Sequence, residues 1–498
     1  MSWGSGYVTD VAYLPGYYRQ QSPADLAVAC LLGNVRSDIP ALYEAMSYLE
    51  LGCGRGLSAL VLAASNPGWH VTGIDFNPAH IAEARQLAAS AGLSNVTFHE
   101  VDLASLTSDA ASPIPQADVV SMHGVWSWVA PPVQDGIVRL LAAKLRAGGV
   151  LHISYNSLPG WQAGFGIQRL LHEAGSRLAF RSDRQVSAAL DVVKQLHEAG
   201  ARHLTAAPLG DDPVARLTKM PSEYLAHEYM NAFWRPVFHA DVVAALRPAK
   251  LEWVAAADLL ENFPALMLTE AQRAVQERFD DPLMRELIKD MCHPRSLRHD
   301  VFVRGPRRIT NAERDVALRE LTLALTVRPD DFVYEAAVPA GKATLGRAFY
   351  EPVVAALGRE AHLVSELLAL PDLHGQRDIA AELVGMLLGT GQAVVVARPG
   401  AAPERTAQRF NHTLARSLLR GGSNAGGAAM ASFRLGAGLA AIPAELLTLD
   451  MLMEGGEASP EAWAVQAGMA TDTAVQFRSA SETLLERRSP VWRLAGLC

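Results

Sequence analysis

Between residues 46 and 155, short apolar runs alternate with segments whose apolar positions recur every three or four residues. That alternation is the pattern of strand–helix–strand units built around a parallel sheet. It predicts strands at Ser47–Leu51, Val71–Asp75, Val96–Val101, Val119–Met122 and Val150–Tyr155, with helices near Leu57–Ala64, Ala79–Ala91 and Gly136–Lys144. The run Arg146-Ala147-Gly148-Gly149 predicts a helix cap and a sharp reversal before the fifth strand. Upstream lie an aromatic cluster (Tyr7, Tyr13, Tyr17, Tyr18) and a helix-like run, Asp25–Leu32, stopped at Gly33.

From about 165 to 290 the period is helical, over 166–180, 186–200 and the aromatic-rich stretch 221–246. Beyond about 300 the elements mix. Strand-like runs at 321–327, 332–338 and 393–399 alternate with helical patterns at 347–370 and 377–388, and helices are expected to the end apart from the loop 421–427. These switches of period divide the chain into an N-terminal lid or helical segment (1–45), a catalytic domain (46–165), a helical middle domain (166–300) and an α+β C-terminal domain (301–498).

The chemistry concentrates in Tyr48-Leu49-Glu50-Leu51-Gly52-Cys53-Gly54-Arg55-Gly56. An apolar strand runs into Glu50 and then a GxGxG turn, with a helix after it. Glycines let the backbone turn tightly and approach a ligand where a Cβ would intrude. The following helix presents free N–H groups to an anion. Asp75 ends the second strand nineteen residues beyond Gly56, where a carboxylate can take both ribose hydroxyls of a nucleoside. Phe76 can pack on an adenine face. Asp102, followed by Leu103, ends the third strand, placed to accept from an adenine amino group.

Three features select S-adenosyl-L-methionine (SAM) over a dinucleotide. Leu57 occupies the position where GxGxxG needs its last glycine, Glu50 can attract the methionine ammonium, and Asp102 adds an adenine contact. The expected cofactor-binding set is Glu50, Gly52, Cys53, Gly54, Gly56, Asp75, Phe76, Asp102, Leu103 and His123.

Composition narrows the partners. Half the residues are hydrophobic and 19% are charged, the balance of a globular protein, and the net charge of −8 disfavours nucleic acid. The four cysteines form no CxxC pair, no secretion signal is visible at the N-terminus, and no uncharged apolar run reaches spanning length. The most apolar stretch, 435–447, is broken by Pro443 and Glu445. A cytoplasmic protein with no membrane partner is expected.

Residues 46–160 resemble the class I SAM-dependent methyltransferases. The stretches Met122-His123-Gly124-Val125-Trp126-Ser127-Trp128-Val129 and Ser154-Tyr155-Asn156-Ser157-Leu158-Pro159-Gly160-Trp161 are similar to the subfamily with a methyltransferase regulatory domain, which includes rickettsial protein-lysine methyltransferases. So are Tyr224–Tyr229 through Trp234 and Phe238, and Asp300–Gly305. The resemblance implies a Rossmann-like α/β core with a seven-stranded sheet, a helical middle domain, an α+β C-terminal domain and a homodimer. It also implies that Glu50, Gly52, Gly54, Asp75 and Asp102 bind SAM.

For the acceptor, a lysine amine must lose its proton before it attacks, and a dry aromatic pocket favours that loss. His123 and Trp126, with Tyr155 and Asn156 at the end of the fifth strand, are the catalytic candidates; Trp128 reads equally well as packing. His123 can alternatively serve as a base for a hydroxyl or acid acceptor. Methyltransferases of bases and glutamine amides usually carry Asn/Asp-Pro-Pro-aromatic after the fourth strand, where this chain has Met122-His123-Gly124-Val125. Base or amide N-methylation is thereby disfavoured; the resemblance at 122–129 and 154–161, with two accessory domains able to hold a polypeptide, implies a protein lysine as the leading acceptor, with a small molecule as the alternative. No metal is expected: His227-Glu228-x-x-Asn231 lacks the second histidine of a zinc site, Cys292-His293 with His299 lacks ligand spacing, and Gly421–Gly427 lacks the Lys-Ser/Thr of a phosphate loop.

Overall fold

The computed structural model describes residues 6–11, 16–104, 113–205, 213–373, 379–421, 428–454, 460–466, 468–469 and 471–498. Tyr13 and loop residues 422–427 lie outside them. The centre is a seven-stranded sheet of β1 (Ser47–Leu51), β2 (His70–Asp75), β3 (Val96–Glu100), β4 (Ala117–Met122), β5 (Leu145–Asn156), β6 (Leu251–Ala256) and β7 (Leu297–Arg304). Its spatial order is β3-β2-β1-β4-β5-β7-β6. The first five strands are parallel, and β7 runs antiparallel to both β5 and β6.

Helix α1 (Pro23–Leu32) precedes the sheet, and α2 (Leu57–Ser65), α3 (Pro78–Ala91) and α4 (Pro131–Lys144) connect its parallel strands. Every residue of α2 is buried. A helix apolar on all sides needs cover on all sides, and the hairpin Ala428–Ser432/Ala437–Ala441 of the C-terminal region supplies the outer layer. Ser65 Oγ donates to the Ala437 carbonyl (3.1 Å) and Asn66 Nδ2 to that of Gly436 (2.8 Å). Helix α3 starts on an Asn77 cap whose side chain accepts from Ala79 N–H (3.0 Å), and it stops at Gly92 with φ +62°.

The five expected strands form close to their predicted bounds. The fifth is longer, because the predicted reversal at 146–149 lies inside β5, with Gly148 at φ +74°. Two strands were missed: β6 and β7 fall in or beside the region read as helical, so the sheet extends past residue 165. The hairpin 428–441 stands where helices were expected. Helices α5 (Phe165–Gly175), α6 (Ser182–Glu198) and α7 (Ser222–Tyr229) pack together around Leu171, Val186, Val193 and Ala226, all buried. Helices α8 (His239–Leu246) and α9 (Pro282–Cys292) flank β6 and β7. Among the described residues no helix is long and apolar enough to cross a membrane.

Candidate active site

The C-terminal tips of β1, β2, β3 and β4 open into one cavity of about 390 Å³. Glu50, Gly52, Cys53, Gly54, Asp75, Phe76, Asp102, Leu103 and His123 all line it. Asp75 and Asp102, 27 residues apart in sequence, thus face a common crevice beside the glycine turn. The turn needs its glycines for different reasons. Gly52 sits at φ +67°, and a Cβ there would meet Val125 at 2.4 Å; Gly54, at φ +53°, has nothing within 4 Å of that position and leaves bare backbone toward the cavity. Gly56 does not line it. Its missing Cβ would strike Phe98 at 2.7 Å, so Gly56 seats α2 against β3 rather than contacting a ligand.

Asp75 holds this turn as well as facing the cavity. Its Oδ2 accepts from Gly54 N–H (2.9 Å) and its Oδ1 from Asn77 N–H (2.8 Å). Glu50 is buried, accepting from Gln21 Nε2 (3.0 Å) and Ala59 N–H (3.1 Å). Burial pushes its carboxyl up to about 7 against the pull of those donors. The cavity therefore holds a carboxylate with unmet demand for a cation. Cys53 is buried, and burial pushes its thiol well up, so it packs and does not react.

His123, at the end of β4, is stacked on Tyr18 with ring centroids 3.6 Å apart and lies 5.2 Å from His299. Burial, then the neighbouring His299, lowers its pKa to about 3. Ser154 Oγ accepts from Gly124 N–H (2.8 Å) and lies 3.1 Å from His123 Nδ1. His123 is thus a neutral imidazole at the crevice. Because its folded pKa lies below the usual value, its contribution to stability is present above about 6.5 and is lost as pH falls toward 3. In selectively labelled protein the His123 ring should keep one neutral signal from pH 8 to pH 5; a titration midpoint near 6.5 would contradict this environment.

Three acceptor-side candidates are not cavity residues. Trp126 is buried in the core beneath the sheet end, and its neighbour Trp128 lines the cavity instead. Tyr155 is buried; its hydroxyl donates to Asp300 and lies 3.0 Å from His239 Nδ1. Asn156 is buried behind the Trp126–Trp128 turn, its N–H bonded to Ser127 Oγ (2.8 Å). Tyr7 and Tyr18, from the N-terminal segment read as a lid, line the cavity, and so do Gln21 and Phe233, which the sequence did not single out. Gln21 bridges Glu50 and Ser121 Oγ (3.0 Å each) and accepts from Ser58 (2.6 Å). The only sequence signal was the tyrosine cluster; nothing local marks Gln21 or Phe233.

A sheet of this order, with a glycine turn and strand-tip carboxylates around one crevice, defines a class I SAM-dependent methyltransferase. The chain matches the methyltransferase domain family over residues 42–187 and the predicted methyltransferase regulatory domain over 221–304. An uncharacterized protein of Synechocystis is 34% identical over 367 residues, covering 74% of this chain and 72% of that one. An uncharacterized protein of Rickettsia prowazekii is 25% identical over 339 residues, covering 66% of this chain and 59% of its own length. The structure of PKMT2 from Rickettsia typhi in complex with AdoHcy has a similar fold (TM-score 0.70, 16% identity) over 97% of this chain and 99% of that chain. The chain belongs to the class I SAM-dependent methyltransferases that carry a methyltransferase regulatory domain, and its cofactor is SAM.

Proposed function

We propose that this enzyme methylates the side-chain amine of a protein lysine, with SAM held across the tips of β1 to β4. In this reading Glu50 takes the methionine ammonium and the bare backbone at Gly54 lets the ligand lie against the turn. Asp75 accepts from the ribose hydroxyls, Phe76 packs on the adenine, and Asp102 accepts from its amino group beside Leu103. The observation that carries the cofactor assignment is the convergence of Glu50, Asp75 and Asp102 on one crevice. When bound, SAM supplies a methyl group on a positively charged sulfur, ready for displacement.

The residues of the chain then align and desolvate an acceptor amine. Trp128, Tyr18 and Phe233 keep water away from the crevice, and neutral His123 lines it without adding a charge that would repel the sulfonium. The lysine acceptor is supported by the likeness to the Rickettsia typhi PKMT2 structure along nearly the whole chain, together with Phe233 of the regulatory region 221–304, which lines the cavity. In this reading residues 46–165 remain the catalytic domain, 166–300 the middle domain and 301–498 the C-terminal domain, with strands β6 and β7 completing the catalytic sheet. A dimer and a cytoplasmic location complete the proposal.

The test is a heat-treated bacterial proteome incubated with the enzyme and methyl-labelled SAM. Label is expected in protein and, after acid hydrolysis, in methyl-lysine. Label confined to small molecules would overturn the lysine assignment and leave the methyltransferase intact.

A further inference from the structure

Gln21 ends the N-terminal strap that brings Tyr7 and Tyr18 to the crevice. It is 1% exposed, and every polar atom of its amide is engaged. Nε2 donates one hydrogen to Glu50 Oε1 and the other to Ser121 Oγ (3.0 Å each), while Oε1 accepts from Ser58 Oγ (2.6 Å). Glu50 is thus gripped at both oxygens, since its Oε2 accepts from Ala59 N–H (3.1 Å) in the first turn of α2. The carboxylate bearing this grip still lines the cavity.

The grip is backed by the interior of the sheet. Ser121 Oγ lies 3.0 Å from His152 Nδ1, and His152 Nε2 lies 3.2 Å from His299 Nδ1. Ser121 and His152 are fully buried. Amides, hydroxyls and imidazoles are costly in a dry interior unless bonded, and a chain in which each is bonded is stiff. The strap is also tied down beside Gln21 by three distant parts of the chain. Arg19 donates to the Leu388 carbonyl (2.8 Å), Gln20 Nε2 to Asp258 Oδ1 (2.9 Å), and the Tyr17 hydroxyl accepts from Gly438 N–H (2.9 Å). Gln21 therefore meets Glu50 already oriented, with no amide hydrogen left over for a ligand.

We propose that Gln21 is a positioning residue for the cofactor: it keeps the Glu50 carboxylate turned to the methionine ammonium, and so favours ligands that carry the amino-acid end. This rests on the reading above in which Glu50 takes that ammonium. A buried carboxylate that loses a donor rotates toward another or takes up a proton. Either change withdraws the negative charge that the ammonium needs. Burial already pushes the Glu50 carboxyl up to about 7, and Gln21 is the first group opposing it. The proposed ribose and adenine contacts at Asp75, Phe76 and Asp102 belong to other strand tips and do not pass through Gln21.

Calorimetry on the full-length protein compares SAM with 5′-methylthioadenosine, which keeps the adenine, ribose and sulfur but lacks the amino-acid end. Gln21→Met, similar in length but without the amide, is expected to bind SAM about tenfold or more weakly, the loss of one hydrogen bond to a charged group. Its affinity for 5′-methylthioadenosine should stay within about twofold of the wild type. In a Glu50→Gln background the same substitution should weaken SAM by no more than about twofold. Ser121→Ala removes only the rear tie of the amide and should weaken SAM about threefold, with 5′-methylthioadenosine unaffected. It decides the matter if Gln21→Met does not fold. Unchanged SAM affinity in the deciding variant would overturn the proposal. Equal weakening of both ligands would overturn it too, making Gln21 a packing residue. Glu50→Gln with an unchanged preference for SAM over 5′-methylthioadenosine would instead remove the ammonium reading on which the proposal rests.

Discussion

Asp75→Ala is expected to bind SAM at least about a hundredfold more weakly than the wild type, with the fold retained. The side chain has two tasks in one place. It faces the crevice from the tip of β2, and its carboxylate accepts from Gly54 N–H (2.9 Å) and Asn77 N–H (2.8 Å). The proposed ribose contacts are hydrogen bonds to a charged group, worth about 1.5–3 kcal/mol each. Losing two exceeds the roughly 2.8 kcal/mol that corresponds to a hundredfold. Slackening of the turn at Gly54 adds to the loss. Asp75→Asn keeps the shape and one acceptor, so its affinity should fall between the two. Titration calorimetry with SAM and with AdoHcy measures this directly, and unchanged affinity in Asp75→Ala would remove the proposed seat.

Arg298→Met should be the most destabilising single change in the sheet region, by about 3–5 kcal/mol. Arg298 is 1% exposed and meets three buried acids: Asp300 (2.9 Å), Asp290 (2.7 Å) and Glu286 (2.8 Å). Despite burial, Arg298 and His239 hold the Asp300 carboxyl well below the usual range. The cluster ties α9 to β7, and through the Tyr155 hydroxyl to β5. With Arg298 gone, those carboxylates remain in a dry interior with too few cations. Urea denaturation followed by tryptophan fluorescence should show the lower midpoint. Adding Asp300→Asn to Arg298→Met should recover part of the loss, because one orphaned charge is then removed. An Arg298→Met midpoint equal to that of the wild type would mean the network contributes nothing net.

The cofactor half of the site was legible because its signals are local. Glu50, Gly52, Gly54 and Asp75 stand at strand tips, where one turn fixes both backbone path and side-chain direction. The acceptor half was not. Trp126 and Trp128 are two apart in a single turn of 3-10 helix, which rotates them about 240° from one another. Only one can face the crevice, and the sequence Trp-Ser-Trp reads alike in either rotation. Tyr155 sits at a strand tip, as expected, but its hydroxyl is claimed by Asp300, a residue 145 positions later. No spacing rule near Tyr155 encodes that partner.

The sequence by itself determined the parallel strands β1 to β5, the glycine turn, the acids at the strand tips and hence the class of chemistry, since each depends on contacts within a few residues. Only the tertiary structure decided that β6 and β7 complete the sheet. It also decided that the N-terminal strap, bonded to His227 and Asn231, supplies Tyr7, Tyr18 and Gln21 to the crevice. Those contacts join segments up to hundreds of residues apart. They exist because the apolar faces of the sheet and of α2 must be covered by whatever the chain later brings, and local pattern records the need for cover without naming its source.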